Sequence, residues 1–206
     1  MNPRREIVLY LNPLYLRHSS LYIMAKVLRK YFIAIVPEGA LQEKATDIKL
    51  VLKEKYNLKY ALRSPAHVTL KMPFLWNEAK EERLFSALEP FFATQSSFDL
   101  SFQGIGKFSD RVIYIKVKKN GLLLELQKEL ALVCQRQLNQ KQELSDYAYH
   151  PHMTVAFKDV RRKCFADYLE AVKAIGFSGK MSVEKVALLK KLEGEPWKII
   201  KSFPLG

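Results

Sequence analysis

The chain of 206 residues carries 34 Lys plus Arg against 21 Asp plus Glu, a formal net charge of +13. Hydrophobic residues make up 49 % and charged residues 27 %, ordinary globular usage that leaves ample apolar side chain for a core and excludes collagen-like, low-complexity and disulfide-scaffold classes. The length suits one domain or two small lobes, and the charge makes a polyanion the first partner to consider.

The first thirty residues read differently from the rest. Arg4, Arg5, Arg17, Lys26, Arg29 and Lys30 face only Glu6, so part of the positive charge belongs to this segment. Its apolar run from Ile7 to Leu16 is broken by Asn12 and Pro13, too short for a bilayer and without a small-x-small cleavage site behind it. We expect an N-terminal extension over 1–30, disordered or preceding the true start at Met24, and a folded unit over 31–206. The expected compartment is the cytoplasm, with no membrane partner. Cys134 and Cys164 show neither a CxxC pattern nor a neighbouring His, which fits reduced thiols rather than zinc or a disulfide.

From Tyr31 the periodicity changes in a regular order. Tyr31 to Val36 is a short β-branched run ended by Pro37, as a buried strand would be. Leu41, Ala45, Ile48, Leu52 and Tyr56 mark an amphipathic helix over 40–56. A strand over Ala66 to Met72 precedes a helix that Asn77 caps and that buries Leu84, Leu88 and Phe91. Phe98 to Phe102 and Val112 to Val117 alternate as antiparallel strands separated by a bend at Gly104-Ile105-Gly106. Leu123, Leu126, Leu130, Val133 and Leu138 predict a third helix, and Met153 to Phe157 another strand. Phe165, Leu169 and Val172 line a last helix stopped at Gly176, and a hairpin of Val183–Leu192 with Trp197–Phe203 closes the chain. Strands and helices in this irregular order predict an α+β protein with largely antiparallel sheet.

The chemistry lies in two short strings. The chain has four histidines and four threonines, yet His67-Val68-Thr69-Leu70 and His152-Met153-Thr154-Val155 repeat one pattern, far above chance for such scarce residues. Alternation along a strand puts His67, Thr69 and Lys71 on one face and Val68, Leu70 and Met72 on the other. Likewise His152, Thr154 and Lys158 share a face. No carboxylate is placed to orient either ring, which excludes a serine-hydrolase triad. Two such units across a cleft would hold one phosphate between two imidazoles. A neutral ring then takes a proton from water, a protonated ring delivers one to the leaving oxygen, and the threonines donate to the non-bridging oxygens, with no metal or other cofactor required.

Paired H-x-T-hydrophobic strands, together with Ser64-Pro65-Ala66 and Tyr149-His150-Pro151 ahead of them and the opening Phe32 to Pro37 strand, resemble the 2H phosphoesterase superfamily, specifically its LigT-like group of 2′-5′ RNA ligases and cyclic nucleotide phosphodiesterases. The resemblance covers roughly residues 31–203. It implies a bilobal fold of two pseudo-twofold-related lobes, helices outside and a basic cleft between. It implies opening of 2′,3′-cyclic phosphates on RNA ends or nucleotides to 2′-phosphates, in some members with 2′-5′ ligation in reverse. By direct match His67, Thr69, His152 and Thr154 take the catalytic roles. Some members carry an Arg shortly after the second motif, where Ala156-Phe157-Lys158 offers only a lysine, which lacks the planar bidentate contact.

Lys71 and Lys158 are candidate phosphate contacts, with a solvated strand-end lysine as the alternative for each. Phe74, Trp76, Tyr147 and Tyr149 are candidates for stacking a base, although residues such as Phe74 and Trp76 more often fill a core. His150 reads as a support for its neighbours, and His18 receives no role. Part of the charge is expected round the cleft. The expected partner is RNA or a nucleotide with a cyclic phosphate, bound by a monomer. A non-catalytic RNA-binding module, or a phosphodiesterase for another cyclic or 2′-5′-linked nucleotide, are the competing readings.

Overall fold

Thirteen strands and helices follow the apolar periods in the computed structural model, which describes residues 27–206; the expectations for 1–26 lie outside the described residues. The order is β1 (Leu28–Ile35), α1 (Gly39–Tyr56), β2 (Val68–Asn77), α2 (Glu81–Ala93), β3 (Phe98–Phe108), β4 (Val112–Val117), α3 (Gly121–Leu138), α4 (Leu144–Tyr147), β5 (His152–Ala156), α5 (Phe165–Ile175), β6 (Ser178–Val183), β7 (Lys185–Lys191) and β8 (Trp197–Pro204). The first strand begins at Leu28, inside the segment expected to be an extension.

All eight strands join one curled antiparallel sheet in the order β6-β3-β4-β5-β2-β1-β7-β8. The expected α+β class holds, and the two lobes are the two halves of this sheet. The pseudo-twofold relation is visible in the chain itself: β1-α1-β2 and β4-α3-β5 are each strand, 18-residue helix, strand, and their second strands meet at the centre. The four longer helices, α1, α2, α3 and α5, cover one face. Ile48 and Leu52 of α1, Leu84, Leu88 and Phe92 of α2, Leu126 and Leu130 of α3, and Phe165 and Val172 of α5 all pack into one core with that face. On the opposite, open face the smaller cluster of Phe32, Ala34, Ala187 and Leu189 comes from strands alone. β1 is therefore buried on both sides, which explains its unbroken apolar run.

Two expectations change. The Gly104 bend is a bulge within β3 rather than a turn: the register slips between Phe102 and Ile105, Gly104 takes φ +76°, and the chain reverses only after Phe108. The strand predicted to stop at Met72 runs on to Asn77.

A second bulge has a larger consequence. Ala34 pairs with Thr69 but Ile33 with Lys71, so Leu70 is an extra residue in β2. Leu70 and Lys71 then both turn toward the helix-covered side, each 2 % exposed, and Met72 returns to the open face at 41 %. Lys71 is thus removed from the face of His67 and Thr69. Its Nζ instead donates to Asp146 at 2.5 Å and to the Lys141 carbonyl at 3.2 Å, which pins the connection from α3 to β5. The pair is sealed, both side chains being 2 % exposed.

Breaking one side of a buried pair leaves an uncompensated charge. Asp146→Ala is expected to cost about 3–5 kcal/mol in urea denaturation. The double replacement of Lys71→Met with Asp146→Asn regains most of that loss, because no unpaired charge stays inside.

Candidate active site

The two motif strands are the central pair of the sheet. Val68 pairs with Met153. Carrying the antiparallel register one residue each way sets His67 across from Thr154 and Thr69 across from His152. Opposed Cβ atoms on such strands are about 4.5–5.5 Å apart, so the four side chains form one patch on the open face. All four line a cavity of about 320 Å³, whose other walls include Phe32, Met72, Phe108, Phe157 and Trp197. An adjoining hollow of about 250 Å³ shares Thr69, Met72, Phe108 and His152 and extends to Tyr149 and His150.

Both imidazoles are held alike. His67 Nδ1 lies 2.8 Å from the Pro65 carbonyl, and His152 Nδ1 lies 2.7 Å from the His150 carbonyl. A carbonyl only accepts, so Nδ1–H is the donor in each neutral ring and Nε2 is the free nitrogen. The chain ahead of His67 is itself tied down. Gln42 exchanges two hydrogen bonds with the Ala66 backbone, Lys49 Nζ donates to the Ser64 carbonyl, and Asp159 accepts from the Lys59 and Tyr60 amides.

The surroundings of the two rings are unequal. Phe32 lies 4.8 Å from the His67 ring and packs edge-on against Trp197. Desolvation pushes the His67 pKa down to about 4; the Pro65 carbonyl opposes this, and the charges of Lys49 and His152 add to it. Lys49, buried beneath, is pushed down to about 8 by desolvation. His152 is shifted in the same direction, chiefly by burial and against the His150 carbonyl, but it sits among groups with polar atoms. Phe108 and Tyr114 flank it at 4.8 and 5.1 Å, and Tyr114 Oη is 3.4 Å from His150 Nε2. Gly106 makes room for that tyrosine: a Cβ there would stand 2.4 Å from its ring.

The other candidate residues separate. Tyr149 lines the adjoining hollow, and its hydroxyl donates to the Thr69 carbonyl at 2.9 Å, a tie across the motif strands. Phe74 is buried in the core against Tyr31, away from the cavity, so it stacks no base. Trp76 donates to the Lys80 carbonyl and packs near Arg83, and Tyr147 is exposed on α4. Lys158 lies beyond the end of β5, not on the His152 face. Asp159 N–H bonds back to the Phe157 carbonyl, Lys158 takes φ +64°, and its Nζ reaches Tyr60 Oη at 2.9 Å. No lysine or arginine lines the cavity itself, so the expected charge stands behind it and at its rim.

Phe32 could be reached from sequence by alternation, since Ala34 pairs with Thr69 and Phe32 lies two residues along the same face. Phe108 and Trp197 carry no local signal, because long-range pairing brings them there. Among the described residues no three His, Cys, Asp or Glu side chains gather as a metal site would need. Cys134 and Cys164 are free thiols, and burial pushes Cys134 up to about 12.

A sequence profile described as the 2′-5′ RNA ligase superfamily matches residues 37–195. A Bacillus cytotoxicus protein named as a phosphoesterase is 32 % identical over 179 residues, covering 86 % of this chain and 97 % of its own. A Bacillus thuringiensis protein also named as a phosphoesterase is 30 % identical with the same coverage. In three dimensions the chain resembles Escherichia coli LigT crystallised with 3′-AMP, with a TM-score of 0.63 at 19 % identity over 87 % of this chain and 99 % of that one. TT0787 of Thermus thermophilus is also similar, with a TM-score of 0.58 at 16 % identity over 85 % and 97 %. With its paired histidine strands at the centre of a LigT-like sheet, the chain belongs to the 2′-5′ RNA ligase superfamily of 2H phosphoesterases.

Proposed function

We propose that the protein opens 2′,3′-cyclic phosphates of RNA ends or nucleotides to 2′-phosphates without a metal, acting as a cytoplasmic monomer. The observation that carries this reading is the matched pair of imidazoles, each with Nδ1 fixed by a backbone carbonyl, in one cavity with two threonine hydroxyls. Nucleotide complexes of LigT with 3′-AMP, ATP and NADP+ support the ligand class.

In this reading His67, the ring held neutral by desolvation, is the base, and His152 is the acid once a phosphate anion raises its proton affinity. Water attacks phosphorus as its proton passes to His67 Nε2. The P–O3′ bond breaks and His152 Nε2–H protonates O3′, leaving a 2′-phosphate and a 3′-hydroxyl. Thr69 and Thr154 donate to the non-bridging oxygens. With an RNA 5′-hydroxyl in place of water, the same step forms a 2′-5′ linkage.

His67→Ala or His152→Ala is expected to lower turnover of 2′,3′-cyclic AMP by about 10²–10⁴-fold, with activity unchanged in EDTA and phosphorus NMR placing the product phosphate on O2′. Wild-type turnover in either variant rejects the two-histidine reading, and binding of cyclic phosphates without turnover favours the RNA-binding module.

The neutral state of His67 also shapes stability. Its unfolded ring takes a proton near 6.5 and the folded ring only near 4, so the unfolded chain binds more protons between those values. Stability is therefore expected to fall as pH drops from 6.5 to 4. His67→Gln should flatten that part of a profile of urea midpoints against pH.

A further inference from the structure

Two cations meet one phenol at the edge of the histidine cavity, and a third stands nearby. Lys158 Nζ donates to Tyr60 Oη and lies 4.6 Å from the ring centre, and the Arg63 guanidinium lies 5.8 Å from the same centre. Lys191, paired in register with Trp197 on β8, comes close enough to feel both Arg63 and Tyr60, and its Nζ is enclosed with no hydrogen-bond partner among the described residues. Arg29, Lys71, Lys190 and Lys201 each pair with a carboxylate, whereas Arg63, Lys158 and Lys191 have none among the described residues. Two carboxylates lie nearby without pairing with these cations. Asp159 Oδ2 holds two backbone amides while its buried Oδ1 has no hydrogen-bond partner among the described residues, and Glu195 pairs with Lys198 but is close enough for its charge to act on Lys191.

An enclosed ammonium without an acceptor is costly, and a second and third cation beside it add repulsion. Burial and Arg63 weaken the hold of Lys191 on its proton, outweighing the opposing charges of Tyr60 and Glu195, and Lys158 lowers the pKa of the Tyr60 phenol. An anion from outside the chain would satisfy Lys191 and cancel the repulsion together. The cluster is also well placed for one. Tyr60 packs edge-on against Phe157 at 5.0 Å, and Phe157, Ala61 and Trp197 are walls of the histidine cavity. A shallow hollow holding Arg111, Lys158 and Arg162 shares Phe157 and Val112 with that cavity, so the positive rim continues outward.

Building on the function proposed above, we propose that Arg63, Lys158 and Lys191 form a second anion subsite. It takes a phosphate of the substrate other than the one between the histidines, so the preferred substrate carries two phosphates. That second phosphate is either a terminal group on the same nucleotide or the next phosphodiester of an RNA end.

Calorimetric titration at pH 7 tests this without turnover, using adenosine 2′-phosphate, adenosine 2′,5′-bisphosphate and a diadenosine with an internal phosphodiester and the same terminal 2′-phosphate. The wild-type protein is expected to bind at least one of the two ligands with a second phosphate ten-fold or more tighter than the monophosphate. Lys191→Met and Arg63→Gln should each reduce that margin below three-fold, the monophosphate affinity serving as the check that the variant is folded. A margin with the diadenosine assigns the subsite to RNA ends, and one confined to the bisphosphate assigns it to mononucleotides. Equal affinities in the wild-type protein, or a margin that survives both substitutions, overturns the proposal. Failure of the cyclic-phosphate reading would show separately, as absent turnover with the calorimetric margin intact.

Discussion

The pairing of Val68 with Met153 is the contact on which the site depends. It is where the two halves of the sheet meet, and an antiparallel register there converts two distant sequence motifs into one four-residue patch. A slip of one residue would turn every side chain of one strand to the opposite face and put its histidine among the helices. The register is therefore secured on both sides. Val68 and Met153 are fully buried against the helix-covered core, the Tyr149 hydroxyl holds the Thr69 carbonyl, and Lys71 with Asp146 fixes the chain entering β5.

Much of this was legible in the residues, and the parts that were not share a physical cause. Alternation located both motif strands and the buried run of β1, and the helical stripes located four helices, because burial on one face repeats with the period of the element. Alternation failed at Lys71. It assumes one residue per pleat, and the bulge at Leu70 adds one, a backbone event that the sequence His67-Val68-Thr69-Leu70-Lys71 does not announce. The same holds at Gly104, where a glycine that reads as a turn serves a bulge and the strand continues. Lys158 was misplaced for a related reason: the strand ends at Ala156, and a reversal across Lys158 sends its side chain to Tyr60. Phe74, a base-stacking candidate for which the core was the commoner role, is turned inward by the second slip of β2, between Lys71 and Phe74.

Placing the cations outside the cavity has an electrostatic logic. A lysine beside the histidines would repel the proton that the acid must carry and would bind product phosphate as firmly as substrate. The cavity walls are instead mostly apolar, which makes burial the largest cause of the shift in both rings. In the proposed reaction such a site gains charge only when the phosphate arrives. The anion then strengthens proton binding at the imidazole nearest the leaving oxygen.

The two halves are alike in topology but not in what surrounds each ring, and the proposed division of roles rests on that inequality. Phe32 and Trp197 enclose His67 in carbon, with Lys49 beneath it, so its uncharged state is favoured before substrate binds. Tyr114 and His150 bring a hydroxyl and a second imidazole to the His152 side, where the His150 carbonyl favours a protonated His152 and the His150 charge opposes it. Pseudo-symmetry alone would supply two equivalent histidines, able to exchange parts in either direction of reaction. The unequal packing breaks that equivalence: burial disfavours charge on both rings, most at His67, and in the proposed reaction His152 becomes the charged partner only when the phosphate arrives.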